Sequence, residues 1–309
     1  MALTASVEAG SWPERTVKIV TTANPGSSSD VVARTLAELL AKRWARPVVV
    51  ENRPGADGIV AARGFLEIGD GHALLFTTHS TVTVIPLLND QLPFDPVRDF
   101  APITLAVEDF LTIVASPSLA VNSLAEFVRL ARSKPGELNW YAVPGSPYLS
   151  YLAFQKREGF TTTFVPYRNA TTVLADLSEG RVQVAVVPMA FALGQLRAGK
   201  IKALAVTNSM RTPAAPDIPT AAEAGYPDIS FGGLLGLFGP RDMPLALRDR
   251  IAADVRAFLQ EPDVAQRLTN AGLVGRGTTP AQFAEILDEQ RAKWAAIARE
   301  HNIKPKTAQ

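Results

Sequence analysis

From Thr16 onward, short β-branched runs alternate with amphipathic stretches of helical period, and a chain so patterned is expected to build a mainly parallel α/β sheet. The first unit reads as a strand over 17–22, a loop over 23–29 and a helix over 30–44. In that helix Val32, Leu36, Leu39 and Leu40 share one face. Further strands are expected over 47–50 and 73–77, with a tight turn over 52–58 and a helix over 59–68 between them. The middle of the chain repeats the pattern. It predicts strands over 111–115, 138–142, 163–165, 184–187 and 202–206, and helices over 123–133, 170–177 and 190–198. A long bent strand is expected over 229–238, then helices over 245–259, 263–271 and 280–300, the last opened by Pro280.

The 309 residues are enough for about two domains at roughly 150 residues each. Helices accumulating at the end suggest that the chain leaves a first domain, builds a second and returns. This puts 12–107 with 229–309 in domain 1 and 108–228 in domain 2. Two crossings make a hinge. Ligands of open α/β sheets sit beyond the carboxyl ends of the strands, so facing domains of this kind would close on something between them.

Lys and Arg total 31 against 30 for Asp and Glu, with no block of like charge, so an electrostatic basis for nucleic acid or an anionic membrane is lacking. With no cysteine and three scattered histidines, His72, His79 and His301, thiol chemistry is excluded and no metal site or cofactor is expected. No apolar run reaches the roughly 20 residues of a membrane span. Residues 1–10 lack the basic start and apolar middle of a secretory leader. The chain is therefore expected to be cytoplasmic or to begin at a mature N-terminus.

Three loops could carry chemistry. Asn24-Pro25-Gly26-Ser27-Ser28-Ser29-Asp30 opens the first helix, where free N–H groups and the dipole favour an anion. The second glycine and the lysine of a phosphate loop are missing, so a carboxylate suits it better than a nucleotide. The alternative is that the serines only cap the helix. His79-Ser80-Thr81 follows the third strand on the same sheet edge. A triad of Ser28 or Ser80 with His79 and Asp30 is conceivable, but no nucleophile elbow surrounds a serine, and His79 alone reads as a satisfied loop histidine. Val143-Pro144-Gly145-Ser146-Pro147-Tyr148 stands in the second domain where 24–30 stands in the first, with an ordinary strand-to-helix turn as the alternative.

Several motifs then add up to a family. Trp12-Pro13, Asn24-Pro25-Gly26, Val49-Val50-Glu51-Asn52-Arg53-Pro54-Gly55-Ala56, Leu92-Pro93-Phe94-Asp95-Pro96, Asp99-Phe100-Ala101-Pro102-Ile103, Phe164-Val165-Pro166-Tyr167, Asp217-Ile218-Pro219-Thr220 and Glu223-Ala224-Gly225-Tyr226-Pro227 resemble the Bug-type receptors of tripartite tricarboxylate transporters. The resemblance implies a two-domain periplasmic-binding-protein fold of type II-like form, hinged by two crossover strands. It also implies a small carboxylate in the interdomain cleft, membrane permease subunits as partners, a periplasmic location, a monomer and no catalysis. The implied ligand-binding positions are 24–30, 79–81 and 143–146, with Tyr148 and Tyr167; Pro188 and Met189 join them as residues after the strand 184–187.

Departures from the family pattern sharpen this. Gly26-Ser27 stands where paired glycines are usual, and Tyr151 where a histidine is common. Val186-Val187-Pro188 replaces a common Phe-Asp-Asn, which removes an acidic partner for a ligand ammonium. An amino-acid ligand is thereby disfavoured. Val187, Pro188, Met189, Phe191, Tyr148 and Tyr151 suggest an apolar wall for an aromatic or longer aliphatic acid, or a dicarboxylate. The other readings are an enzyme of the same fold with a hydrolytic or isomerising site at His79, and a receptor that signals to a sensor kinase.

Overall fold

The computed structural model describes residues 12–167 and 170–303. The leader reading of 1–10 and the end of the 229–309 segment lie outside those residues. Two sheets organise the chain. The first joins β1 (Val17–Thr21), β2 (Val48–Asn52), β3 (Ala73–Thr78), β4 (Phe100–Asp109), β10 (Gly233–Pro240) and β11 (Leu273–Gly275) in the order β11-β4-β10-β3-β1-β2. The second joins β5 (Leu111–Ala115), β6 (Asn139–Ala142), β7 (Thr163–Phe164), β8 (Val184–Pro188) and β9 (Lys202–Val206) in the order β7-β6-β8-β5-β9.

The sheets are mixed, which corrects the expectation of mainly parallel ones. β1 runs parallel to β2 and β3, but β10 is antiparallel to both β3 and β4, and β5 is antiparallel to β8 and β9. The cause is the return of the chain: a segment that leaves one sheet and comes back beside its outgoing strand must run against it. β4 was not expected as a strand, and β10 starts at Gly233, later than the sequence suggests, after a short 3-10 turn at Pro227–Ile229.

Each sheet is covered on both faces, and alternate strand residues face opposite cores. On the first, Ile19 and Leu74 meet Val32, Leu36 and Leu40 of α1 (Ser28–Trp44) and Ile251 and Val255 of α9 (Leu245–Leu259). Their neighbours Val20 and Leu75 meet Phe65 of α2 (Ile59–Ile68) and Phe283 and Leu287 of α11 (Pro280–Glu300). On the second, α5 (Leu124–Ser133) and α6 (Ser146–Glu158) pack one face, while α7 (Ala170–Ser178) and α8 (Met189–Arg197) pack the other. Ser123 caps α5 by accepting the Glu126 N–H, as its position suggests, and Thr279 with Gln282 forms a capping box ahead of α11.

The crossings lie side by side and are stitched together. Thr207 N donates to Leu111 O at 2.9 Å, and Phe231 N donates to Thr207 O at 2.7 Å. The Asn208 amide donates to Glu108 Oε1 at 2.8 Å and to the Asp109 carbonyl at 3.1 Å, and its Oδ1 accepts the Leu111 N–H at 3.1 Å. Glu108 is also paired with Arg276.

Helix α11 belongs to both lobes. Its start packs on the first sheet through Phe283 and Leu287, while Trp294 is fully buried in the core of the second, edge-on to Phe231. Replacing Trp294 with alanine should therefore cost about 3–5 kcal/mol, as for other fully buried tryptophans, measured by urea unfolding. A loss below about 1 kcal/mol would show that this end of α11 is not part of the core.

Candidate functional site

The carboxyl ends of β1 and β3 meet the start of α6 across a hollow between the lobes. A cavity of 260 Å³ is lined by Thr22, Ala23, Asn24, Ser27, Ser28 and Ser29 from the first loop, Thr78, His79 and Ser80 from the second, and Val143, Pro144, Ser146 and Pro147 from the third. Asp109, Leu111, Pro188, Phe191, Gly233 and Leu235 complete it. A neighbouring hollow of 540 Å³ shares Thr22, Asn24, Thr78, Ser80 and Pro144 and extends to Thr81, Tyr141 and Tyr167. Among the described residues lining either hollow there is no lysine or arginine.

The first loop is shaped by Asp30. Ser27 caps α1 by accepting the Asp30 N–H, while the Asp30 carboxylate accepts from Gly26 N at 2.8 Å, Arg34 Nε at 2.9 Å and Asn52 Nδ2 at 2.8 Å. Gly26 takes φ +80°, which lets the loop turn back over that carboxylate. Burial alone would raise the Asp30 pKa, but the bonds from Arg34, Asn52 and Gly26 outweigh it and hold the group below its usual range. Asp30 therefore works beneath the loop, and the Ser28 and Ser29 N–H groups of the first turn sit ahead of the helical ladder.

The third loop enters from the other lobe. Gly145 takes φ +94°, and a Cβ placed there would lie 2.8 Å from Ser80 Cβ. Ser80 Oγ donates to Ser146 Oγ at 3.2 Å, and Ser146 N donates back to Ser80 Oγ at 3.3 Å. The two loops touch here, which places the starts of α1 and α6 on one cavity.

His79 is 1% exposed, and Nδ1 lies 3.0 Å from Thr83 Oγ1. Desolvation, with a smaller repulsion from Lys293, lowers its pKa to about 3 against a small opposing effect of the Gly232 carbonyl, so the ring is neutral. Asp30 is committed to Gly26, Arg34 and Asn52, and Ser80 to Ser146, so the conceivable serine-histidine-acid triad is not assembled.

Other expected residues stand apart. Met189, Val187 and Tyr151 are each fully buried, Met189 beside Phe110 and Val206, and so none of the three forms the expected cleft wall. Tyr148 stacks on Trp140 at 5.6 Å between ring centres and does not line the cavity. Pro25 and Gly26 are exposed at the loop tip. Tyr167 reaches only the second hollow, its hydroxyl donating to Asp176. The apolar wall that remains is Pro144, Pro147, Pro188, Phe191, Leu111 and Leu235. Asp109 was missed. Its signal is a pair of acids inside the apolar run 100–115, since a carboxylate there has to be paired, buried at a cost or used.

Residues 32–303 match the model of the tripartite tricarboxylate transporter family receptor, TctC, and the chain belongs to that family. It is similar to protein BugT of Bordetella pertussis, 28% identical over 308 residues that cover 98% of this chain and 94% of the relative. Among solved structures it is similar to Rpa4515 of R. palustris with adipate, at TM-score 0.87 and 29% identity, covering 96% of this chain and 100% of that one. A second is MatC from Rhodopseudomonas palustris with bound malate, at TM-score 0.82 and 31% identity over 93% of this chain and 99% of that one. The two-lobe α/β fold is thus that of the periplasmic binding proteins of this family.

Because the Asp30 carboxylate is held below its unfolded pKa, it contributes stability that is complete above about pH 4 and fades as pH falls through the folded value. The Asp30→Asn variant should lose about 1–3 kcal/mol at pH 7. Urea melts should show the gap between variant and wild type narrowing below about pH 4. A gap that does not change with pH would mean that its charge plays no part.

Proposed function

We propose that the chain is a periplasmic solute receptor whose lobes, 12–107 with 229–309 and 108–228, close over a small carboxylate and deliver it to the permease subunits of a tripartite tricarboxylate-type transporter. One observation carries this reading: the starts of α1 and α6, from opposite lobes, face one 260 Å³ cavity that has no cationic side chain on its described wall. The first-turn N–H groups of α1, the serine hydroxyls and the positive ends of two helix dipoles supply the anion site instead. The binding positions are the Ser27–Ser29 turn with Asn24, Thr22 and Thr78, and Ser146 with Val143 and Pro144. Ser80 joins the two halves.

That two similar structures hold adipate and malate supports a small acid as the ligand. The cavity of 260 Å³ lies just below the roughly 300–1,000 Å³ of small-molecule sites, which suits a molecule of few heavy atoms. We read the protein as a non-catalytic monomer. Its neutral His79 is bonded to a threonine rather than to a serine nucleophile, and the family is one of receptors. Binding follows a two-state hinge, the ligand favouring the closed form by contacts that only closure completes.

Ser28 is the first residue of α1 and follows an extended cap, Ser27 at φ −74° and ψ 163°, so proline fits there without strain. Ser28→Pro removes one N–H and one hydroxyl and should weaken carboxylate binding about ten- to a hundredfold in calorimetry while leaving the ligand-free melting temperature in place. Unchanged affinity would remove α1 from the site. In a chain without cysteine, the double variant Ser80→Cys, Ser146→Cys should oxidise to a cross-link that stops ligand exchange, and reduction should restore exchange. Free exchange in the oxidised protein would refute closure at this contact.

A further inference from the structure

A carboxyl group on the cleft floor has no role in the reading above. Asp109 ends β4 where the chain crosses to the second lobe. It is 5% exposed, it lines the 260 Å³ cavity, and its Oδ1 has no hydrogen-bond partner. Opposite it in β10 stands Gly233, where a Cβ would lie 3.0 Å from Asp109 Cβ, so β10 sets no side chain against Asp109 at that position. The adjoining acid is treated differently: Glu108 is bonded to Arg276 and Asn208, while Asn208 reaches only the main-chain carbonyl of Asp109.

The surroundings make an unpaired charge there costly. Leu111, Leu235, Pro188 and Phe191 share the wall. Burial first, and the charge of Glu108 in addition, push the Asp109 pKa up to about 8 against the opposing Phe110 N–H, so the acid is neutral at pH 7. The other ionisable groups nearby do not compensate it. Arg276 is spent on Glu108, and Lys293 donates to Ser230 O at 2.7 Å. His79 shares the cavity as a neutral ring, and its Nε2 also lacks a hydrogen-bond partner. The Thr83 hydroxyl, 3.0 Å from Nδ1, donates to the His79 carbonyl at 3.0 Å, and the Gly232 carbonyl lies near the ring.

A buried, unsatisfied carboxyl oxygen on a ligand cavity calls for a donor on the ligand. A second carboxylate brings no donor for that oxygen, and a hydroxyl brings one donor without a charge. An ammonium has three donors and a charge. It lets Asp109 ionise as an ion pair shielded from water, the setting in which such pairs are strongest. The expectation that no acid serves a ligand ammonium rested on 186–188, whereas Asp109 stands at the end of β4.

We propose that Asp109 is the specificity-determining residue of this cleft and that the preferred ligand is a small amino carboxylate, its carboxylate at the helix starts and its ammonium against Asp109 Oδ1. This rests on the carboxylate-receptor reading and narrows it. On binding, the Asp109 proton passes to solvent and the ligand nitrogen keeps its own, so below about pH 8 binding releases up to one proton.

The test is calorimetry with acid pairs that differ by one ammonium: propionate and β-alanine, succinate and aspartate, glutarate and glutamate, 4-methylbenzoate and 4-(aminomethyl)benzoate. In wild type the amino member of the bound pair should be preferred by about thirtyfold or more, with proton release seen as a buffer-dependent enthalpy. Asp109→Asn, which mimics the neutral acid, should melt like wild type and bind the des-amino acid within about threefold of it, but lose the preference and the proton release. A wild-type preference for the des-amino member, or a preference that survives Asp109→Asn, overturns this assignment and leaves the carboxylate receptor standing. Binding of none of the eight acids would instead overturn the carboxylate reading itself.

Discussion

The side-chain amide of Asn208 holds together the two strands on which everything else turns. Both of its ends are spent on the outgoing crossing, the nitrogen on Glu108 and the Asp109 carbonyl and the oxygen on the Leu111 N–H, while its own backbone lies at the end of the second sheet. A buried amide satisfied in this way is costly to rearrange, because each lost bond leaves a desolvated polar group. The crossings therefore move as one ribbon. A fixed pivot makes the loops of opposite lobes meet in one register, Ser80 on Ser146, and keeps the starts of α1 and α6 on one cavity.

Such a cavity binds anions without a cation. Helix starts and hydroxyls are dipoles fixed in place by the fold, and they need no counter-ion when the ligand leaves. The same economy makes the cleft sensitive to any charge on its wall. Asp109 and His79 respond by staying neutral when buried, one as an acid and the other as a base. The family membership fixes the receptor class, while the cavity wall is particular to this chain's own residues.

Much of this was legible in residue order. Local rules placed α1, α2, α9 and α11 to within about two residues, because caps and helical period act over a few positions. Ser123 reads as a cap and is one. The loops 24–30 and 143–146 read as facing anion sites from their glycines and their place after strands, and the structure brings both to one cavity. What was missed depends on distant partners. β4 carries Pro102 and two acids, so its pattern hides a strand that exists because β10 pairs along its full length. Met189 follows Pro188 at a strand end, where a cleft residue is expected, but α8 begins there and turns the side chain into the core beside Phe110. Asp109 could be noticed as an acid in an apolar run, but its place on the cavity opposite Gly233 depends on a strand more than a hundred residues away.

Helix α11 has a consequence away from the cleft. Between Pro280 and Glu300 it has no interior glycine or proline, so it has no point at which to flex, and it rests on the short helix Ser80–Thr83 of one lobe and on α6 of the other. A stiff rod resting on both lobes limits how far they can part. The opening of the cleft thus depends on α11 residues that line neither hollow, where substitutions retune affinity without altering the ligand-facing wall.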